Sequence, residues 1–187
     1  MINRTIKIVL FAKLLLACGV ALADTCSDIE SRTSAHNFYV MLDKIKLFSV
    51  PKNAELEKLN PYITKNLFHK INLAVLAEEK DFERSKGEEP PLYEGSLFSS
   101  LAEGYSNFYV SIATHEKETT KVDILLQYAQ NFLPYYANKP GINEWKDQAI
   151  IKRDDGKCKV DNIIFGSDGV KITSLRDRLD TIISYTK

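Results

Sequence analysis

From Ser27 onward, the hydrophobic positions recur with two different periods. Phe38, Met41, Leu42, Ile45 and Phe48 fall at three- and four-residue steps, one apolar stripe of an amphipathic helix. Ser27-Asp28-Ile29-Glu30 ahead of it has the form of a capping box, and Pro51 stops the helix. A short helical turn is expected over 54–59. Asn60-Pro61 then reads as an N-cap followed by proline at the first helical position. The stripe Ile63, Leu67, Ile71, Ala74 and Val75 makes a second long helix that ends before Gly87. The polar stretch "SKGEEPPLYEG" at 85–95 is a connecting loop, and "SLFSSLAEG" predicts a helical turn closed by Gly104.

Beyond Gly104 the period changes to two. Phe108, Val110 and Ile112 alternate with Tyr109, Ser111 and Ala113, a half-buried strand. Val122, Ile124, Leu126 and Tyr128 alternate likewise. Val122, Leu125, Leu126 and Ala129 also fit a helix, but the β-branched start and the following Pro134 favour strand. Lys139-Pro140-Gly141-Ile142 suits a type II turn, with residues 145–152 as a third strand. Asp154-Asp155-Gly156 turns the chain into a fourth over 157–165. Ser174, with Asp177 at the reciprocal box position, begins a last helix whose apolar face is Leu175, Leu179, Ile182 and Ile183. The fold class predicted is α+β: N-terminal helices packed on a curved four-stranded antiparallel sheet, with a C-terminal helix. Neither a repeat nor an internal linker is visible, so residues 24–187 read as a single domain.

The first 23 residues read as an export signal. Arg4 and Lys7 give a positive start, an apolar stretch follows, and Ala21-Leu22-Ala23 offers the small-x-small pattern a signal peptidase accepts. The rival reading is a lipoprotein box, Leu15-Leu16-Ala17-Cys18, anchored at Cys18. Lys13 weighs against it, because only Leu14 to Ala17 would remain apolar after that charge. Cleavage after Ala23 predicts a periplasmic protein without a stable membrane anchor. It removes Arg4, Lys7 and Lys13, leaving 22 basic against 25 acidic residues. Mild acidity without a basic run gives no reason to expect nucleic acid as a partner. Two cysteines remain, Cys26 and Cys158, and in an oxidising compartment such a pair is expected to bond, tying the N-terminal segment to a late strand.

The local wording resembles a family of exported bacterial proteins, domain of unknown function 3828, whose fold is similar to the cone-shaped α+β folds of the nuclear-transport-factor-two-like superfamily. The matching stretches are "LFSSLAEGYSNF" at 97–108, "WKDQAIIKRDDGKCKVDNIIFG" at 145–166 and "SLRDRL" at 174–179, with "FYVMLDKI" and "LNPYITKNLF" in the helical half. Such proteins tend to carry Gly-x-Trp-x-Val-Asp-Asp-Ile after the turn. Here Gly156-Lys157-Cys158-Lys159-Val160-Asp161-Asn162-Ile163 puts a cysteine where the tryptophan would be, consistent with a covalent anchor replacing an apolar one. The resemblance implies a fold and a location but no activity.

Candidate chemistry is sparse. His36, His69 and His115 fall on different elements, and no paired metal-ligand spacing occurs, so neither metal nor cofactor is expected. His115 reads as a solvated loop residue. "YEGSLFSS" and "FGSDG" lack the nucleophile elbow, and Ser96, Ser99 and Ser100 read as caps of the turn beside them. "RDDGKC" lacks the oxygen ligands of a calcium loop. Asp147 shares a strand face with Trp145, Ala149 and Ile151, and Asp161 would share one with Ile163 and Phe165. A carboxylate on an apolar face is costly unless paired or set in a solvated cavity. The resemblance implies such a cavity, in which some enzymes of the superfamily use an acid for proton transfer; the plainer expectation is that both acids bond backbone or basic side chains. Glu103 is open to the same two readings. Tyr109, with Tyr105, Phe108, Tyr128, Tyr135, Tyr136 and Trp145, belongs to an aromatic-rich strand half. Trp145, Asp147, Asp161, Glu103 and Tyr109 are therefore the candidate ligand-binding residues. With no catalytic residue assigned, the sequence favours a non-catalytic binding module for a small molecule or a periplasmic protein. Two alternatives stand beside it: an inhibitor or immunity protein against an exported toxin or hydrolase, and a cavity enzyme of the isomerase or dehydratase kind.

Overall fold

The computed structural model describes residues 25–130, 141–166 and 173–185. The expectations for the leader, Cys18, Pro134, Tyr135, Tyr136 and the Lys139-Pro140 half of the turn lie outside those residues.

Helix α1, Asp28–Ile45, begins with the capping box: the Ser27 hydroxyl accepts from the Glu30 N–H, and the Glu30 carboxylate accepts from the Ser27 N–H at 2.9 Å. Its stripe buries Phe38 and Leu42 fully and Met41 and Ile45 in part, and the chain leaves the helix at Lys46 with φ 49°. Phe48 does not follow the stripe. Three residues past the helix end it is 58% exposed, because the left-handed turn at Lys46 breaks the 3.6-residue period. Helix α2, Asn53–Leu59, is the expected short element.

Helix α3, Lys65–Ser85, starts later than Asn60-Pro61 implies. Thr64 is its cap, its hydroxyl accepting from the Leu67 N–H at 3.1 Å. The intervening residues are held extended by bonds from the Thr64 N–H to the Val160 carbonyl and from the Val160 N–H to the Tyr62 carbonyl, both 2.9 Å. Tyr62 to Thr64 thereby cover part of an edge strand that would otherwise present unpaired groups. Ile63, Leu67, Ile71, Ala74 and Val75 are all buried, as their spacing predicts.

Four antiparallel strands follow as a meander: β1 Asn107–Glu116, β2 Thr119–Gln130, β3 Gly141–Asp154 and β4 Lys157–Ile164, paired in the order β1-β2-β3-β4. The segment around Val122 is strand, resolving the helical alternative; Val122, Ile124 and Leu126 point into the core with no exposure. The β3–β4 turn is the expected Asp155-Gly156 pair, both at positive φ, whose twist suits a two-residue hairpin. Residues 96–104 form a chain of turns rather than a helix. Helix α4, Leu175–Ser184, closes the fold with the Ser174/Asp177 box formed. One core lies between the helices and the inner sheet face, joining Phe38, Leu42, Leu67 and Ile71 to Ile124, Leu126, Ile151 and Ile163, with Leu175, Leu179 and Ile182 from α4.

Two β-bulges invert the alternation read from the sequence. In β1 the register with β2 shifts between Val110 and Ala113, so Ala113 packs on the core and Ile112 turns outward, 66% exposed. In β4 the register shifts between the partners of Ile150 and Ile151, leaving Asp161 as the extra residue between Val160 and Asn162. Asp161 therefore does not share the apolar face of Ile163 and Phe165. It reaches sideways to the Thr64 hydroxyl at 2.6 Å and Arg176 Nη2 at 2.8 Å.

Cys26 and Cys158 form a disulfide with Cα atoms 5.9 Å apart, fastening the segment before α1 to β4. Polar contacts collect around it. The Ser34 hydroxyl donates to the Cys158 carbonyl at 2.8 Å, and Arg153 pairs with Glu30 at 3.2 Å. His115, on β1 rather than in a loop, meets Asp28 at 2.6 Å. The bond points to an oxidising, exported environment, and no helix among the described residues is long and apolar enough to cross a membrane. Replacing both cysteines by alanine should cost about 2–5 kcal/mol of unfolding free energy. Urea titration followed by far-UV circular dichroism, with and without reductant on the parent protein, checks it; equal stability of oxidised and reduced parent would refute it.

Candidate functional site

The structure scatters the five candidate residues over four places. Trp145 and Asp147 stand together on the inner face of β3. Asp161 sits at the rim by α4, Tyr109 faces outward on β1, and Glu103 lies in the loop before β1. Asp147 and Asp161 are both committed to structural partners.

Asp147 is fully buried. Its carboxylate accepts from the Ser100 N–H at 3.0 Å, from the Ser100 hydroxyl, and from the Gly166 N–H at 3.0 Å. Burial pushes the carboxyl above its ordinary range; the Ser100, Gly166 and Trp145 groups pull the other way without cancelling it. Gly166 is required by packing. A Cβ there would lie 1.9 Å from the Lys146 carbonyl oxygen, so only glycine brings this N–H up to the acid.

The loop that Asp147 grips is gripped from its other side by Arg178. Nη1 of Arg178 donates to the carbonyls of Ser96, Leu97 and Ser99 at 2.9, 3.0 and 2.9 Å, and the guanidinium lies 4.0 Å from the centre of the Phe165 ring and 5.2 Å from that of Tyr93. Within the loop, the Ser96 N–H donates to the Ala102 carbonyl at 2.7 Å and the Gly104 N–H to the Leu101 carbonyl at 3.0 Å. The Leu101 N–H donates to the Ser99 hydroxyl at 3.3 Å, the capping role expected of these serines. Gly104, at φ 79°, makes the turn an L side chain would strain.

This braced loop forms one wall of a pocket of about 260 Å³. The end of α1 forms the other, with Leu42, Asp43 and Lys46 facing Phe98, Glu103 and Tyr105. Burial raises the Asp43 carboxyl, with the Tyr105 hydroxyl opposing. The Tyr105 phenol is raised strongly, first by burial and then by the Asp43 charge. Its hydroxyl oxygen is buried without a well-formed hydrogen bond; the Asp43 carboxylate is near enough to act on it but is not in bonding geometry. Behind it the Tyr39 ring packs 5.7 Å from the Tyr105 ring, and the Tyr39 hydroxyl, wholly buried, has no partner either. A buried polar group left unsatisfied costs about 1–3 kcal/mol, so two neighbouring phenols in that state need a reason.

Glu103 is thus the one sequence candidate that reaches the pocket. Asp43 escaped notice because it sits on the polar flank of α1, where a carboxylate is unremarkable until a distant loop closes over it. Tyr105 was visible only as a member of the aromatic cluster. Tyr109 instead lines a separate shallow groove of about 440 Å³ with Ile29, Arg32, His36 and Phe108. Among the described residues no group of three or more His, Cys, Asp or Glu is placed to hold a metal ion. Compared with known proteins, the chain matches no family model, no curated protein and no solved structure.

Asp147→Asn should cost about 1–3 kcal/mol, because one amide oxygen replaces two carboxylate oxygens where three donors converge. The raised carboxyl makes the parent's own contribution fall as pH rises through its folded value, since the folded state holds the proton longer than the unfolded one. The penalty of the variant should therefore shrink between the ordinary aspartate range and neutrality. Urea midpoints of both proteins across pH 4 to 7 test this; a penalty that grows with pH would overturn it.

Proposed function

We propose that the chain is an exported, periplasmic binding module without catalysis, freed of its leader after Ala23 and braced by its disulfide, in keeping with its resemblance to the exported family of unknown function. A small polar ligand is received between the end of α1 and the 96–105 loop. The observation that carries this reading is the Tyr105 hydroxyl, buried in a pocket wall with no partner of its own. Leaving it so makes sense where a ligand oxygen or nitrogen completes the bond. The size of the pocket suits a molecule of few heavy atoms, since drug-sized ligands occupy about 300–1,000 Å³. Proton-transfer catalysis has less support: Asp147 is saturated by donors and Asp161 is bonded to Arg176 and Thr64, so neither is free to take a substrate proton.

The test is a thermal-shift screen of the purified mature protein against small polar metabolites, followed by calorimetry of any hit. Tyr105→Phe should weaken binding about tenfold while leaving the apo protein as stable or more stable, because it removes an unsatisfied buried hydroxyl. A hit bound equally by the variant would refute the assignment of the pocket. Intact-mass analysis of exported material should give a chain starting at Asp24; a lipid adduct on Cys18 would overturn the proposed processing.

A further inference from the structure

The widest concavity described lies elsewhere, between the 49–54 segment and the second half of α3. This trough, of about 680 Å³, is lined by the apolar Val50, Pro51, Val75 and Phe82 and by the acids Glu78, Glu79 and Glu83. Phe82 is 65% exposed. At helical spacing Val75 and Phe82 fall on one line along α3, with Glu78 on one flank of it and Glu79 and Glu83 on the other. Lys52 is the single basic side chain in the lining. The nearby Arg84 is engaged outside it, with Asp81 and, at 3.8 Å, with Glu89.

The carboxylates differ in what they touch. Glu79 accepts from the Asn53 side-chain amide at 3.2 Å. Glu78 has one oxygen buried with no hydrogen-bond partner, although a carboxylate oxygen out of water ordinarily finds a donor.

We infer that this trough is a docking site for a peptide segment of another protein in which an apolar side chain is flanked by lysine or arginine. The apolar residue would lie on Val50, Val75 and Phe82 while the basic groups meet Glu78, Glu79 and Glu83. Charge complementarity selects this occupant. A second copy of the chain, docked through the same face, would set two sets of acids against each other. The trough shares no lining residue with the pocket at the end of α1, so this inference stands or falls independently of the ligand site.

The full disulfide-bonded protein can be titrated into three fluorescently labelled octapeptides and followed by anisotropy: one alternating Leu and Lys, one alternating Leu and Glu, one alternating Ser and Lys. The Leu/Lys peptide should bind saturably, about tenfold or more tightly than either other peptide. The triple variant Glu78→Gln, Glu79→Gln, Glu83→Gln should weaken it about tenfold, and Phe82→Ala should do likewise. All four positions are at least partly exposed and the glutamine swaps are isosteric, so circular dichroism should show an unchanged fold. A control triple at exposed acids outside the trough, Glu57→Gln, Glu88→Gln and Glu118→Gln, should change affinity less than about twofold. The inference is overturned by absence of saturable binding, by equal binding of the Ser/Lys peptide, or by equal weakening in the control triple. It is also overturned if sedimentation shows a dimer that Phe82→Ala dissociates.

Discussion

The conformation of residues 96–104 depends on two ionisable groups, the buried Asp147 and the half-buried Arg178, that do not serve each other directly. Arg178 takes three loop carbonyls, Asp147 takes an amide and a hydroxyl of Ser100, and the irregular backbone between them has no regular ladder to fix it. Burying an ion is expensive unless it is well met, and here backbone dipoles and aromatic rings do most of the meeting. The two charges still feel each other, for Asp147 pulls the Arg178 guanidinium upward against the effect of its own burial. Because α4 carries one and β3 the other, the loop acts as a splint between the closing helix and the sheet. The pocket wall inherits its shape from that splint.

This arrangement bears on how the interior acids should be understood. A buried aspartate beside a tryptophan, with its carboxyl pushed upward, is a combination often met at catalytic centres. Here the same signs come from a structural anchor met by two backbone N–H groups and the Ser100 hydroxyl. The unpartnered buried groups include the phenols of Tyr39, on α1, and Tyr105, in the loop before β1, as well as the Trp145 indole N–H on β3.

Much of the fold is legible in the sequence, because most of it follows from periodicity and capping. Ser27 and Ser174 open their helices as boxes, and the inward row of β2 is the one its alternation assigns. Three features escape for the same reason: each is a local departure enforced by a distant partner. Thr64 rather than Asn60 starts α3 because β4 holds Tyr62 to Thr64 extended. Ile112 and Asp161 face away from their expected sides because single-residue bulges, which carry no signature in composition, reverse the pleat. The pocket was least legible, since Asp43 and Tyr105 acquire meaning only when residues far apart in sequence close on each other. Glu103 was within reach because it stands in a short loop whose turn residues already marked it as special.

The bond between Cys26 and Cys158 spans a separation of 132 residues, with consequences for how a chain emerging from its N-terminus matures. Its first thiol is made long before its mate and must wait, reduced or held by an oxidoreductase, until the β3–β4 hairpin has been synthesised. Closure thus certifies that nearly the whole domain has emerged. Premature truncation before the β3–β4 hairpin leaves Cys26 without its partner.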